Sequence, residues 1–344
     1  MRTFAGPLAL AVLVVSCTRD ENDEPPSSLL VETTEEALPP QSAERFPDGR
    51  YQIAEITCGG LALLDVEGDG DLDIYLVRHP TPDAPRSAAP NRVFLNRGDG
   101  TFTDPAAPTG LEDAGYGSSV AVGDFDQDGL VDVFVGNFGP DSLFRNRGDG
   151  TFENRTESAG IAGDGWSTAA AFFDYDADGD LDLWVARYLV DDPTRICRPS
   201  ATERQDYCGP HRFQSLSDRL FRNRGDGTFE DASKEAGIVA PRASLGVVCL
   251  DLTGDGRLDV YVANDQQPNQ LWVNIGDGRF RDEARERGVA VSGLGDSEAS
   301  MGVAACDVDE DGFLDFFITN MADEKYTLYR ASSNGQWDDR SASS

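Results

Sequence analysis

Five short acidic stretches of the chain share one spacing, in which Asp or Glu recurs at alternate positions and a glycine stands at the sixth. The second stretch shows it plainly, with Asp124, Asp126, Asp128, Gly129 and Asp132 at positions 1, 3, 5, 6 and 9. Two carboxylates ~4 Å apart repel by ~1 kcal/mol in bulk water and ~4 kcal/mol near a protein surface, so a cation would stabilise such a cluster. Hard oxygen ligands around a tight turn suit Ca²⁺, and the repeated stretches therefore predict calcium loops.

The five stretches, numbered loop 1 to loop 5, begin at Asp65, Asp124, Asp174, Asp251 and Asp307. Positions 1, 3, 5 and 9 would supply side-chain oxygens and position 7 its backbone carbonyl, so the side chain at position 7 can vary. In that order of positions, the candidate ligands are Asp65, Glu67, Asp69, Asp71, Asp73; Asp124, Asp126, Asp128, Leu130, Asp132; Asp174, Asp176, Asp178, Asp180, Asp182; Asp251, Thr253, Asp255, Arg257, Asp259; and Asp307, Asp309, Asp311, Phe313, Asp315. We expect up to five bound Ca²⁺, with loop 4 the weakest site because threonine occupies its position 3. The alternative is a solvated acidic turn without an ion.

Other kinds of calcium loop fit less well. An EF-hand needs a Glu at position 12 and flanking helices, whereas position 12 of loop 2 is Val135, inside a strand-like run. Dockerin-type loops are also followed by helices, and thrombospondin-type calcium repeats lack the long strand-rich intervals found here. The acidic loops are therefore expected between strands.

A second motif, Asn-x-Gly-Asp-Gly-x-Phe, follows each of the first four loops, at 96–102, 146–152, 223–229 and 274–280. A degraded fifth copy lies at 328–337. Glycine at two turn positions between strand-like runs predicts a hairpin turn. Three copies spell Arg-Gly-Asp, an integrin-recognition tripeptide, but each lies inside the repeat's own turn, so a structural role is expected.

Short apolar runs flank each acidic loop and predict strands on both sides of it. Each repeat would then hold about four strands, as a β-propeller blade does. The sequence thus predicts an all-β propeller domain at 46–339, with an inserted loop at 189–217 and a Ser-rich tail at 340–344. Cys197 and Cys208 lie within the insertion and are expected to form a disulfide if the chain is exported.

The amino terminus resembles an export signal. An apolar stretch from Phe4 to Val15, too short to span a bilayer, follows Arg2 and ends before Cys17 as in a bacterial lipobox. We therefore predict a lipoprotein-type signal peptide at 1–17 with lipidation at Cys17; an ordinary cleaved signal peptide and an unmodified core cysteine are the alternatives. Residues 18–45 are acidic and Pro-rich and are expected to form a disordered tether.

The composition excludes several classes of function. The formal net charge is −33, which argues against nucleic acid and anionic membrane surfaces as partners. Only two histidines occur, which leaves little for a histidine metal centre or a catalytic triad. The chain has no Gly-x-Ser-x-Gly elbow or His-Glu metal motif, and no apolar run long enough to span a membrane as a helix.

Several other residues are expected to have structural roles. Cys249 and Cys306 precede acidic loops and are predicted to be buried apolar residues, whereas Cys58 has no evident partner. Asn137, Asn264 and Asn320 follow their loops at one spacing and are expected to stabilise turns at strand ends. The four tryptophans are expected to pack in the core, with sugar stacking as the alternative; they are Trp166, Trp184, Trp272 and Trp337.

The acidic loop paired with the turn motif resembles the FG-GAP (or VCBS) repeat of integrin α-chain propellers. More closely, the chain resembles the bacterial relatives of cartilage acidic protein, in its Leu-Phe-Arg-Asn-Arg-Gly-Asp-Gly-Thr-Phe segment at 143–152, its Cys197…Tyr207-Cys208-Gly-Pro insertion and its Val-Ala-Asn-Asp at 262–265. The resemblance implies a calcium-stabilised propeller on an exported protein with a binding or adhesive role. Such relatives usually have about seven blades, so the chain forms either five blades or an incomplete seven-bladed wheel.

These observations predict an exported calcium-binding propeller that acts as a ligand-binding or adhesion-type module at a bacterial surface or in the periplasm. Its calcium would be structural, its partner a protein or glycan, and its only membrane contact an N-terminal lipid anchor. Thr18 follows Cys17 in place of the Asp that often signals inner-membrane retention, so the outer membrane or cell surface is the expected location. The inserted cysteine loop is expected to carry specificity. The alternatives are a polysaccharide-active enzyme, a lyase or hydrolase, and a chain whose remaining blades come from another chain.

Overall fold

The computed structural model describes residues 53–56, 59–78, 90–198, 204–321 and 324–341. The predicted signal peptide, Cys17, the tether at 18–45 and Cys58 lie outside these residues. Within the described chain, no helix combines the length and the hydropathy that crossing a membrane requires.

The fold consists of five four-stranded antiparallel sheets, each with its strands in chain order. Sheet 1 contains β1 (Leu61–Leu64), β2 (Asp73–Leu76), β3 (Arg92–Asn96) and β4 (Phe102–Thr103); sheet 2 contains β5 (Gly117–Gly123), β6 (Asp132–Asn137), β7 (Ser142–Asn146) and β8 (Phe152–Asn154); sheet 3 contains β9 (Ser167–Phe173), β10 (Asp182–Arg187), β11 (Arg219–Asn223) and β12 (Phe229–Asp231). Sheet 4 contains β13 (Ser244–Leu250), β14 (Asp259–Asn264), β15 (Gln270–Gly276) and β16 (Arg279–Asp282); sheet 5 contains β17 (Val303–Cys306), β18 (Asp315–Ile318), β19 (Thr327–Ala331) and β20 (Trp337–Asp339). The described helical segments are short: α1 (Ala284–Arg287) and 3₁₀ turns at Ile53–Ile56 and Pro210–Arg212.

The sheets pack face to face, with the first strands β1, β5, β9, β13 and β17 side by side. Because side chains alternate along a strand, neighbouring residues enter different inter-sheet cores. Val133 of β6 packs toward sheet 1, and Phe134 packs toward sheet 3. This explains why the middle sheets carry unbroken apolar runs in their second strands: both faces are covered.

Four apolar cores join consecutive sheets. Trp184 and Trp272 meet between sheets 3 and 4 with ring centroids 6.4 Å apart. Between sheets 4 and 5, Tyr261 stacks on Phe316 at 4.3 Å. The architecture is that of a β-propeller with several blades, as the sequence predicts, and among the described residues no apolar cluster joins sheet 1 to sheet 5.

The outer faces of the terminal sheets differ from the covered faces of the middle ones. Leu61 and Leu63 of β1 are 40% and 48% exposed, and Phe317 of β18 is 41% exposed. Cys306, on β17, is also exposed. The prediction that Cys306 is buried is therefore wrong, because that face of sheet 5 has no further described sheet against it. Cys249 is half-buried and packs at the core between sheets 3 and 4.

Candidate metal sites

Each acidic loop joins the first strand of a sheet to the second, and its first aspartate organises the loop backbone. In loop 2, Asp124 Oδ1 accepts a hydrogen bond from Asp128 N at 3.0 Å, and Oδ2 accepts one from Gly129 N at 2.8 Å. The glycine at position 6 has φ between 84° and 96° in all five loops. A side chain there would be strained, which explains why glycine recurs at this position.

Position 7 tolerates very different residues because the contact that the loops share there is made by the backbone amide. In loop 2 the amide of Leu130 donates to Asp128 Oδ1 at 3.0 Å. In loop 5 the amide of Phe313 donates to Asp311 Oδ1 at the same distance. This bond does not involve the side chain, which can therefore vary.

Position 9 has a role that sequence reasoning missed. Asp132 is fully buried and accepts hydrogen bonds from Phe125 N at 3.1 Å and from Asn146 N, at the end of β7, at 2.7 Å. The same pair of contacts occurs at position 9 of the other four loops: Asp73, Asp182, Asp259 and Asp315. This aspartate thus ties the acidic loop to the third strand. The one available signal in the sequence was that an aspartate opens the second strand in every repeat.

Burial makes the charge on this aspartate costly. Desolvation raises the pKa of Asp132 to about 7, against two backbone hydrogen bonds that lower it and the nearby Asp126 and Asp128 carboxylates that raise it further. Asp182 in loop 3 has its pKa raised to about 7 for the same reasons. A cation beside these groups would favour their ionised forms.

The structure brings three carboxylates together in three of the five loops, with one oxygen from each lying within 4.8 Å of the others. These groups are Asp124, Asp126 and Asp132; Asp174, Asp176 and Asp182; and Asp307, Asp309 and Asp311. Loops 1 and 4, which the structure describes completely, contain no such group. In loop 1 the Asp65 carboxylate accepts from the amides of Gly68, Asp69 and Gly70, one amide more than Asp124 accepts from in loop 2.

Buried oxygen atoms in loops 2 and 3 fit a bound cation. Asp126 Oδ1, Asp174 Oδ1 and Asp176 Oδ1 are buried and have no hydrogen-bond partner. An unpaired buried carboxylate oxygen is costly, and coordination by a hard divalent ion would satisfy it. The donor set, all oxygen and mostly carboxylate, fits Ca²⁺. Bound there, the ion would hold the two strands and the loop in one arrangement.

The turn motif lies at the same end of the sheets and is structural. Asn146 Nδ2 donates to Val131 O at 3.1 Å, and its Oδ1 accepts from Gly148 N at 2.9 Å. Asp149 accepts from both the amide and the hydroxyl of Thr151, and the hydroxyl lowers the pKa of Asp149. The Arg-Gly-Asp tripeptides are exposed, but each aspartate is held by its own turn.

Two of these asparagines also connect neighbouring blades. Asn223 Nδ2, from sheet 3, donates to Phe125 O in loop 2 at 2.8 Å. Asn274 Nδ2, from sheet 4, donates to Tyr175 O in loop 3 at 2.7 Å. A change in the shape of loop 2 or loop 3 would therefore alter a hydrogen bond to the next sheet.

The opposite end of the sheets carries the inserted loop. Cys197 and Cys208 form a disulfide within it, and Val190 N donates to Gln214 O at 2.8 Å where the loop begins and ends. Beneath it, Tyr188 donates its hydroxyl hydrogen to Asp265 Oδ2 at 2.5 Å.

The remaining predicted structural residues lie where expected. All four tryptophans are buried, with exposures of 0–4%. The three strand-end asparagines donate to turn carbonyls: Asn137 to Pro140, Asn264 to Pro268 and Asn320 to Lys325. Asn320 and Asn137 each also contact a carboxylate, Glu298 and Asp113 respectively.

Comparison with known proteins gives the chain its relatives. Cartilage acidic protein 1 from Homo sapiens is 36% identical over 118 residues, and the protein of that name from Mus musculus is 34% identical over 118 residues. Each match covers 33% of this chain and 16% of the relative. The chain therefore matches only a small part of these proteins. A solved structure of an Agrocybe aegerita lectin that recognises non-reducing terminal N-acetylglucosamine aligns with a TM-score of 0.45 and 18% identity, over 82% of this chain and 65% of that one.

A family model described as an FG-GAP-like repeat matches four segments: 65–135, 124–185, 211–262 and 251–318. Together these segments cover most of the chain and include all five acidic loops. With five sheets of one design and the loop geometry repeated in each, the chain belongs to the FG-GAP-like repeat family.

Proposed function

We propose that the chain is a calcium-stabilised propeller that binds a protein or glycan ligand and has no catalytic role. The observation that carries the calcium proposal is the set of buried carboxylate oxygens without partners in loops 2 and 3. These atoms lie among further carboxylates that converge on one point. The calcium is structural, because the loops connect strands of the same sheet and the aspartate at position 9 holds the third strand.

The binding role rests on the contrast between a repeated scaffold and one individual loop. Recognition sites commonly lie on loops that a rigid scaffold positions. The inserted loop is closed by a disulfide, and its ends meet through the Val190–Gln214 hydrogen bond. Its exposed Ile196, at 58%, offers an apolar contact.

A polysaccharide-active enzyme is the weaker alternative. Acid–base cleavage of a glycan requires a pair of carboxylates at the reacting bond. Among the described residues, every group of three or more converging carboxylates belongs to an acidic loop. They are occupied with holding the loop backbone or are available to a cation.

We further propose that the protein is exported and anchored through a lipid on Cys17. The support is the sequence itself: a short apolar stretch before Cys17 and an acidic, Pro-rich stretch after it. A tether of this kind would leave the propeller free to meet a ligand at the surface. Radiolabelled palmitate incorporated into the wild type but not into Cys17→Ala would support the anchor, and equal labelling would refute it.

Thermal unfolding with millimolar CaCl₂, MgCl₂ or EGTA tests the calcium proposal. We expect the highest midpoint in CaCl₂, by several degrees over EGTA, with MgCl₂ giving less because Mg²⁺ needs a tighter octahedral site. Equal midpoints in CaCl₂ and EGTA would refute it.

Glycan and extracellular-protein arrays test the binding proposal. The matched variant replaces residues 192–212 by a short glycine linker, which the adjacent ends of the insertion allow. We expect the wild type to bind a class of ligand that this variant does not bind, while both keep the same calcium-dependent midpoint. Equal binding by both would place recognition elsewhere, and cleavage of an arrayed glycan would favour the enzyme.

A further inference from the structure

The five acidic loops fall into two classes according to one residue near the end of the third strand of each sheet. The correspondence is fixed by the amide that donates to the buried aspartate at position 9. The residue just before that amide is arginine in loops 2, 3 and 5, and it is apolar in loops 1 and 4. In chain order these residues are Leu95, Arg145, Arg222, Val273 and Arg330.

Each of the three arginines contacts the carboxylates of its own loop. Arg145 Nη2 lies 2.5 Å from Asp128 Oδ2, and its Nε donates to Asp126 Oδ2. Arg222 Nε lies 3.3 Å from Asp176 Oδ2. The remaining arginine, in loop 5, contacts Asp309, and its Nε lies 3.7 Å from Asp315 Oδ2.

The arginines occur in the same three loops whose carboxylates converge. These loops also differ from loops 1 and 4 in residue type at position 4, where φ is positive in all five loops. Gln127, Ala177 and Glu310 there have positive φ, of 57°, 60° and 61°, whereas loops 1 and 4 have glycine at this position. A non-glycine residue is disfavoured in this conformation. Loops 2, 3 and 5 thus hold a strained backbone and repelling charges together, and the arginine supplies the opposing charge.

The arginine does not take the whole carboxylate. Arg145 and Arg222 contact the Oδ2 atoms of Asp126 and Asp176, while the Oδ1 atoms of the same two aspartates remain buried without partners. A cation can therefore bind the free oxygens with the guanidinium still in place. Its double charge would then lie close to a fixed positive charge, which opposes binding.

Loop 1 is the counterpart. Its five acidic residues have no ion pair with a basic residue within the described chain. Leu95 stands where the arginine would be. Loop 4 is intermediate, since it lacks a carboxylate at position 3 and its own Arg257 contacts Asp255.

We propose that Arg145, Arg222 and Arg330 act as tethered cations that stabilise loops 2, 3 and 5 without calcium and weaken calcium binding there, so that dependence on calcium is strongest in loop 1. This rests on the proposed function, because it assumes that the loops bind calcium. It concerns how the sites differ in affinity. The opposite role, in which the arginine orients its aspartates for the ion, would strengthen binding instead.

The test compares calcium titrations and thermal unfolding in EGTA for four variants. Arg145→Leu introduces the leucine that sheet 1 has at the equivalent position, Leu95, and Leu95→Arg is the reciprocal change. Arg145→Lys keeps the charge. Arg147→Leu is the control, because it removes the same charge at a position two residues further along the chain. The Arg147 side chain is exposed, and its partner is Glu153, outside the loop.

We expect Arg145→Leu to bind calcium at one site about tenfold more tightly, equivalent to ~1.4 kcal/mol, and to unfold about 2–4 °C lower in EGTA. Leu95→Arg should weaken one site and raise the midpoint in EGTA. Arg145→Lys and Arg147→Leu should both titrate like the wild type.

Weaker or unchanged calcium binding by Arg145→Leu would overturn the proposal, since the arginine would then position ligands or do nothing. An equal gain in affinity from Arg147→Leu would also overturn it, because general surface charge would explain the effect. If the wild type binds no calcium in the same titration, the proposed function itself fails. If it binds calcium but the variants do not differ, only the present inference fails.

Discussion

The two ends of the propeller differ in how far they repeat. Acidic loops and turns alternate at one end, because in each antiparallel sheet the connections from first to second and from third to fourth strand lie on the same side. The other end is individual: among the described residues, sheet 3 alone carries a disulfide-closed insertion, and beneath it Tyr188 donates to Asp265. Repetition serves the shape of the scaffold, and the individual end is the better candidate for recognition.

The largest effect is expected from the repeated end, at the aspartate of position 9. Asp132→Ala removes the acceptor of two buried amides, those of Phe125 and Asn146. We expect a loss of about 2–4 kcal/mol in the free energy of unfolding, measured by urea denaturation in EGTA. The control, Asp149→Ala in the exposed turn, should cost about 1 kcal/mol or less. Equal losses of stability in the two variants would contradict the view that Asp132 links the loop to the third strand while Asp149 serves only its own turn.

The position-9 aspartate also shows where prediction from sequence stops. Its type and spacing predicted a ligand, while the apolar runs beside the loops predicted the strands and the paired glycines predicted the turns. Its bond to an amide at the end of the third strand depends on strand register, which no local pattern specifies. The pairing of Arg145 with Asp126 was missed for the same reason.

Cys306 shows a second limit. The small apolar run before loop 5 looks like the run before loop 4, so Cys306 and Cys249 were both predicted to be buried. Burial depends on whether another sheet covers the face, and the outer face of sheet 5 is open in the part of the chain that the structure describes. A repeat pattern is local and carries no information on which copies are terminal.

A smaller effect is expected at the individual end, from the buried Asp218. An asparagine takes the place of this aspartate in sheet 4. Asp218 Oδ1 accepts from Arg187 N at 2.8 Å, and Asn269 Oδ1 makes the equivalent bond to Asn264 N in sheet 4. Burial raises the pKa of Asp218 from 3.8 to about 7. Its ionisation therefore costs the folded state more than the unfolded state, and stability falls as pH rises from about 4 through 7.

Asp218→Asn should flatten this pH dependence and gain about 1 kcal/mol over the wild type at pH 8. Unfolding would be followed between pH 5 and 8 in saturating CaCl₂, so that the loop carboxylates stay ionised throughout. Part of the slope should remain, because burial also raises the pKa of Asp141 to about 7. An unchanged slope in the variant would show that Asp218 does not titrate in this range.

The smallest effect on stability is expected from the disulfide. The paired change Cys197→Ala with Cys208→Ala opens a loop that can unfold without separating the sheets. The midpoint of thermal unfolding should fall by no more than about 2 °C, while limited proteolysis should cut faster between the two positions. A large fall in the midpoint would mean that the insertion supports the scaffold, and the contrast between the two ends would be lost.

Counting bound calcium tests the central claim most directly. The folded protein would be dialysed against millimolar CaCl₂, and its calcium measured by mass spectrometry of the element against a buffer control, with circular dichroism as the check of folding. We predict several ions per chain, up to one for each of the five acidic loops. Folded protein that retains no calcium above the buffer would contradict the assignment of these loops as metal sites.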